Sequence, residues 1–345
     1  MAHTSDAGAP DERLRVRRLV AHDSDSADAS FAEDVRAGLT SEPKRLSPKY
    51  FYDALGSLLF DAICLLPEYY LTRAEDEILT EHAGEIIAAC GAGPLALLEL
   101  GSGSAVKTRR LVEAALRCQP SLTYVPVDIS ASALEGGARA LLGDYAGLSV
   151  EAYAGDYERA LPLVRGESLE GRGRVLALFL GSNVGNFRPE EAREFLRTLC
   201  RQALRPGDAL LLGADLKKDP RTLEDAYDDP VGVTAAFNLN LLARINRELD
   251  ADFDPRSFRH VARYDEREGR VEMHLESTRA QTVRLRRLVL EVSFEAGERV
   301  HTENSYKYDL AELSRLASDT GFERTRTWLD RAGRFSSSLF VAVSD

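Results

Sequence analysis

The sequence predicts an α/β fold: a parallel sheet with helices on both faces, carrying a second α+β lobe. Three observations predict it. Between residues 94 and 213, short and almost wholly apolar runs alternate with helical stretches, the pattern of strands buried on both faces. Over 217–307 that rhythm stops, and a helical stretch gives way to alternating apolar and polar residues suited to antiparallel strands. Over 308–345 the first style returns, with a helix and a hairpin that complete a seven-stranded sheet.

Taken in order, residues 1–30 are rich in Ala, Asp and Ser, and the first 20 are expected to form a loose terminal arm. Residues 31–90 read as helical: Phe31, Val35 and Leu39 share one face, and a long helix is expected over 73–89. Between them lies an aromatic-dense stretch containing Tyr50, Phe51, Tyr52, Tyr69 and Tyr70, which by itself is compatible with an ordinary core patch. The first apolar run, 94–100, ends in Gly101-Ser-Gly103 and is followed by a helix with Leu111, Val112, Ala115 and Leu116 on its apolar face. Strands over 122–127, 148–153, 174–180 and 209–213 follow, the middle two ending at Gly155-Asp156 and at Gly181-Ser-Asn. The domains expected are a sheet domain (74–216 with 308–345) and a discontinuous second domain (21–73 with 217–307).

Bulk properties narrow the function. The chain has 345 residues, a formal net charge of -12, 44% hydrophobic and 29% charged residues, a globular composition with enough length for a sizeable core. Such an acidic chain is repelled by phosphate backbones and anionic lipid, so nucleic-acid and membrane partners are not expected. No apolar run reaches the ~18–20 residues of a membrane span, and the N-terminus lacks the apolar stretch of a secretory signal, so a cytoplasmic protein, expected as a monomer, is the reading. Cys64, Cys90, Cys118 and Cys200 form no CxxC pair and the histidines no HExxH pattern, so no metal is expected.

In an open parallel sheet, ligands bind beyond the carboxyl ends of the strands. Gly101 and Gly103 at the first such end let backbone approach a ligand closely. Asp128, ending the second strand, can accept both ribose hydroxyls, and Asp156, after the third, an adenine amino hydrogen. Gly181 opens the loop after the fourth. A nicotinamide dinucleotide calls for GxGxxG, but where the third glycine belongs this chain has Val106 and Lys107. S-adenosylmethionine, which has no pyrophosphate, suits the shorter glycine loop and the acidic Glu99 better.

Longer motifs carry a specific resemblance. They are Tyr50-Phe-Tyr-Asp-Ala-Leu-Gly-Ser-Leu-Leu-Phe-Asp61, Leu66-Pro-Glu-Tyr-Tyr-Leu-Thr-Arg73, Glu99-Leu-Gly-Ser-Gly-Ser-Ala-Val-Lys-Thr-Arg109, Phe179-Leu-Gly-Ser-Asn-Val-Gly-Asn-Phe187, Ala226-Tyr-Asp-Asp-Pro-Val-Gly-Val-Thr-Ala-Ala-Phe-Asn238 and Ile245-Asn-Arg-Glu-Leu-Asp-Ala-Asp-Phe253. Together, from about residue 30 to the C-terminus, they resemble the histidine Nα-methyltransferases of ergothioneine biosynthesis. The resemblance implies a class I, Rossmann-like methyltransferase sheet with S-adenosylmethionine as cofactor. It implies stepwise methylation of L-histidine to Nα,Nα,Nα-trimethylhistidine (hercynine). It further implies that Tyr69, Gly101, Lys107, Asp128 and Asp156 line the cofactor site or pocket, with Gly103 and Gly181 beside them. Asn186 and Tyr227 would hold the substrate's carboxylate and amine, and Tyr52 would stand beside the amine as the catalytic residue. Glu303 and Ser305 would recognise the imidazole, with Met273 as an apolar wall.

The residue types suit that chemistry. Methyl transfer needs a neutral amine aligned with the methyl carbon. The quaternary ammonium product has no N–H donors, and aromatic faces attract it by roughly 0.5–2 kcal/mol. Taken singly, Glu303 and Ser305 read as solvated surface, Asn186 as a turn residue and Tyr227 as a core aromatic. The alternative reading is an N-methyltransferase for another aromatic amino acid such as tryptophan.

Overall fold

The computed structural model describes residues 11–19 and 24–344. Its main sheet contains β1 (Leu14–Arg18), β2 (Leu95–Leu100), β3 (Leu122–Asp128), β4 (Leu148–Ala154), β5 (Arg174–Phe179) and β6 (Ala209–Asp215). A second lobe supplies β7 (Phe258–Asp265), β8 (Arg270–Ser277), β9 (Gln281–Leu285), β10 (Leu290–Phe294) and β11 (Arg299–Tyr306), and the main sheet closes with β12 (Phe322–Leu329) and β13 (Phe335–Ala342).

The main sheet runs in the order β1-β4-β3-β2-β5-β6-β13-β12. The first six strands pair in parallel and the last two antiparallel. Every residue of β2 and of β6 is buried, because helices cover both faces. Alternate side chains divide between two apolar layers. Leu95 and Leu97 join Leu111, Val112, Leu134 and Leu141, whereas Ala96, Leu98 and Leu100 join Leu161, Leu196, Leu199 and Leu313. Strand order reverses between β2 and β5, and the chain leaves the two strands in opposite directions there, opening a crevice beyond their carboxyl ends.

Among the described residues the sheet has eight strands where the sequence predicts seven. The addition is β1, which pairs in parallel with β4 from Leu14 opposite Val150 to Arg18 opposite Ala154. These residues were expected in a loose arm; the rest of 1–10 and residue 20 lie outside the described residues. Leu14 and Val16 are half-buried while Arg15, Arg17 and Arg18 face out, and Arg18 pairs with Glu135 at 2.8 Å. Outward arginines suit an edge strand, since they discourage pairing with a further chain. The helix before the aromatic stretch also starts earlier than expected, at Ser24.

In the second lobe, β11, β8 and β7 form an antiparallel sheet and β9 and β10 a hairpin. The stretch predicted as helical over 217–250 contains two helices, Pro220–Asp225 and Val233–Leu249, broken at Gly232 with φ 85°. Phe237, Leu241 and Ile245 of the longer helix, with Val271, Met273 and Leu275 of β8, belong to the same buried cluster as one face of the main sheet. The apolar core therefore runs unbroken from sheet to lobe, and the site lies along that seam.

Candidate functional site

The glycine loop after β2 comes first. Gly101 (φ 74°) and Gly103 (φ 50°) adopt left-handed conformations, and a Cβ on Gly101 would lie 2.7 Å from Tyr157 Oη and 2.9 Å from Asn183 Nδ2. Asp128, at the end of β3, braces this loop: its Oδ2 accepts from Gly103 N and its Oδ1 from Ser130 N, each at 2.8 Å. Burial nonetheless holds its carboxyl above the usual value. The Ile129 backbone N–H reaches the carboxylate as well, which leaves part of its acceptor capacity open to a ribose hydroxyl.

Glu99 does something other than expected. It is buried, and its oxygens accept from Thr108 Oγ1 at 2.6 and 2.7 Å and from Tyr124 Oη. It props the loop from beneath, and burial pushes it up to about 7. Asp156 is exposed and caps the helix Tyr157–Val164, its Oδ1 accepting from Arg159 N at 2.9 Å. It stands at the carboxyl end of β4, at the outer rim of the crevice. Lys107 forms an ion pair with Glu75. Glu75, fully buried, also accepts from Gly181 N at 2.9 Å, and so ties the loop after β2 to the loop after β5. Sequence reasoning missed Glu75; its signal is a carboxylate on the apolar stripe of Leu71, Ala74, Ile78 and Leu79.

Beside this crevice, a pocket of about 500 Å³, mouth included, is lined by Tyr52, Tyr69, Gly181, Asn186, Tyr227, Met273, Glu303 and Ser305, all singled out in the sequence. Phe60, Ser182, Asn183, Thr234 and Phe237, which were not, line it as well. Asn183 also adjoins Gly101, so the glycine loop and the pocket share a wall.

Each lining group has a local cause. The loop after β5 turns sharply through Gly181 (φ 74°) and Ser182 (φ 59°) into the short 3-10 turn Asn183–Asn186, which presents both asparagines. The aromatic stretch supplies a wall: Tyr52 meets Phe60 and Phe237 edge-on at 5.6 and 5.8 Å, and Tyr69 meets Phe60 at 6.2 Å and Tyr227 at 6.1 Å. Burial pushes the Tyr52 and Tyr69 phenols well above their usual range, with Glu303 adding to the effect at Tyr52. Both are therefore neutral hydroxyls. Glu303 and Met273 are cross-strand partners on β11 and β8, beside an irregularity between His301 and Glu303.

Glu303 is the unusual member. Its residue is 8% exposed, no protein donor reaches its carboxylate among the described residues, and burial, only partly offset by Lys307, pushes it up to about 7. Two residues further along the same face of β11, Ser305 Oγ lies 2.8 Å from Tyr227 Oη, and Lys307 Nζ donates to both at 2.9 Å. Lys307 pairs in turn with Asp215 at 2.9 Å, both fully buried. Asp215 also receives Tyr70 Oη and Lys218 Nζ, at 2.8 and 2.6 Å. Sequence reasoning passed over Lys307 and Asp215. The signal for Lys307 is its spacing, two residues beyond Ser305 and four beyond Glu303, hence on one face of an extended chain.

No cluster of three or more His, Cys, Asp or Glu suited to a metal occurs among the described residues. None of the described helices is long and apolar enough to cross a membrane.

Comparison with known proteins bears on this geometry. The family described as histidine-specific, SAM-dependent methyltransferases matches residues 31–342. The histidine N-alpha-methyltransferase of Mycolicibacterium smegmatis is 47% identical over 317 residues, covering 92% of this chain and 96% of that protein. Ergothioneine biosynthesis protein 1 of Neurospora crassa is 32% identical over 289 residues, 83% of this chain and 32% of the larger protein. The 4-dimethylallyltryptophan N-methyltransferase of Claviceps purpurea is 28% identical over 322 residues, 88% of this chain and 93% of that protein. With a glycine-lined crevice, a ribose-competent carboxylate and an adjoining polar-aromatic pocket, and with that match spanning nearly its whole length, the chain belongs to the histidine-specific, SAM-dependent methyltransferase family.

Proposed function

We propose that the protein methylates the α-amine of free L-histidine, stepwise to Nα,Nα,Nα-trimethylhistidine, the first step of ergothioneine biosynthesis. One observation carries this reading. A buried carboxylate without a protein donor among the described residues, Glu303, lines the same pocket as a hydroxyl pair, Tyr227 and Ser305, with Ser305 two residues along the same face of β11 and Met273 and tyrosines as walls. A neutral imidazole ring has one N–H and one lone pair, and so satisfies an acceptor and a donor at once. The 47% identity to a histidine N-alpha-methyltransferase supports the same substrate.

S-adenosylmethionine supplies an electrophilic methyl carbon on a sulfonium. Gly101, Gly103 and Asp128 would hold it along the crevice, with Gly181 and Lys107 at its sides and Asp156 at the outer rim. Asn186 would anchor the carboxylate and amine, while the Tyr227 hydroxyl, bonded to Ser305, would serve the ring. Tyr52 stays a phenol, so it does not serve as an anionic base; its oxygen accepts an amine N–H and turns the nitrogen lone pair toward the methyl. Attack comes from the neutral fraction of the amine, and after each transfer the extra N–H proton leaves to water. As N–H donors disappear with each methyl, the faces of Tyr52 and Tyr69 hold the growing cation.

A tryptophan-type substrate is the second reading, in view of the Claviceps relative. Indole has an N–H but no ring lone pair, and would leave one of the two groups unanswered. The test is to incubate the protein with S-adenosylmethionine and each of the twenty amino acids and to weigh the products. Histidine gaining three methyl groups is expected; preference for tryptophan or tyrosine would overturn the proposal.

A further inference from the structure

Lys307 lies outside the groups expected to touch histidine, yet every one of its protons is committed beside them. An ammonium has three N–H donors and no lone pair. Here the three point at Asp215 Oδ2, Tyr227 Oη and Ser305 Oγ, each at 2.9 Å. The side chain is fully buried. Burial works against its charge, but the Asp215 carboxylate outweighs that and holds its pKa above the usual lysine value. A buried lysine often loses its proton; this one keeps it.

The consequence falls on the two hydroxyls. Each must accept from Lys307, so neither can donate back to it. They also contact each other at 2.8 Å, and in that contact one donates and the other accepts. Two hydroxyl protons are available, and the mutual bond uses one. The other has no protein acceptor on the Lys307 side and is left for the pocket. A ligand atom meeting this pair must therefore bring a lone pair.

We infer that Lys307 is a positioning residue for ring selectivity: it polarises the Tyr227–Ser305 hydroxyl pair so that the pocket presents a donor beside the Glu303 acceptor, and so admits a ring with one N–H and one pyridine-like nitrogen. The inference rests on the proposed histidine substrate. Its content is separate, because it assigns the direction of the hydroxyl protons to a side chain that does not touch the ring. Lys307 itself is held by Asp215, which Tyr70 and Lys218 support from behind at 2.8 and 2.6 Å. Without the ammonium, the hydroxyls could turn their spare proton to the vacated side, and a ring offering only C–H there would no longer be penalised.

The test compares histidine with the 2-linked and 3-linked isomers of pyrrolylalanine, each of which keeps one ring N–H and replaces the pyridine-like nitrogen by C–H. The readout is the ratio of kcat/KM for histidine to that for the better isomer. The wild type is expected to prefer histidine by about 100-fold or more, as a site does when it loses a specific hydrogen bond to its ligand. In Lys307→Met the ratio should fall below about tenfold. A purely structural role would lower both substrates together and leave the ratio intact. Because Lys307→Met strips the buried Asp215 of one partner and so threatens folding, Lys307→Met/Asp215→Asn is made alongside; it removes both charges. The inference predicts a low ratio in the double variant as well. A wild-type ratio in Lys307→Met, or its restoration by Asp215→Asn, would overturn it. A wild type that does not methylate histidine would instead overturn the proposed function.

Discussion

Replacing Glu303 by glutamine should make the ligand-free protein more stable and less useful to histidine. Burial pushes the Glu303 carboxyl up from 4.5 to about 7. A carboxyl whose pKa is higher folded than unfolded binds its proton more readily in the folded state. Stability therefore falls as pH rises from 4.5, and the loss is complete above about 7. A rise of that size corresponds to about 3 kcal/mol at most, since each pKa unit is worth about 1.4 kcal/mol. Glu303→Gln removes the buried charge and keeps the shape, so its stability advantage should be near zero at pH 4.5 and reach up to about 3 kcal/mol by pH 8. Urea unfolding of both proteins at several pH values, without ligands, measures this. The same change replaces a charge-assisted hydrogen bond to the ring, worth about 1.5–3 kcal/mol, so kcat/KM for histidine should fall roughly 10- to 150-fold. Equal stability of the two proteins at pH 8, or undiminished use of histidine, would refute the reasoning that Glu303 is a carboxylate kept unpaired for a ligand.

Two further outcomes follow from the same geometry. Asp128→Ala, which removes the acceptor at the end of β3 and its bonds to Gly103 N and Ser130 N, should weaken S-adenosylhomocysteine binding at least tenfold by calorimetry. Unchanged binding would remove Asp128 from the cofactor site. Tyr52→Phe should lower kcat at least tenfold while cofactor affinity stays constant, because it deletes the oxygen beside the amine and leaves the ring; a change confined to cofactor affinity would contradict its placement.

The parallel core was legible because strands covered on both faces carry apolar residues at every position, as in Leu95–Leu100. β1 was not, for the complementary reason: an edge strand of five residues, LRVRR, contains three outward arginines and lacks any apolar run. At the site, the aromatic wall and the glycine loop stand out as clusters of unusual residues. The charged groups do not. Alternation places Glu303, Ser305 and Lys307 on one face of β11 and its extension, but only packing against the loop after β5 and against Tyr227 decides that this face is buried. A lysine or glutamate in an alternating strand ordinarily points to water. Asp215 hides the same way, a single acid in an otherwise apolar strand, and Glu75 is one of five acids on its helix, the one that falls on the buried stripe. Glu99 was read as a cofactor-facing acid from its place beside Gly101. Its capture by Thr108 and Tyr124 depends on side chains from two other elements, which sequence adjacency does not reveal.

The account turns on a ring held by an acceptor and a donor, and nitrogen NMR of bound histidine tests that directly. Histidine labelled with ¹⁵N in its ring would be titrated into the complex of the protein with S-adenosylhomocysteine. The expected spectrum shows one protonated, pyrrole-like nitrogen and one unprotonated, pyridine-like nitrogen, in a single tautomer. Two protonated nitrogens, or an averaged pair indistinguishable from free histidine, would contradict the pairing of a Glu303 acceptor with a Tyr227–Ser305 donor.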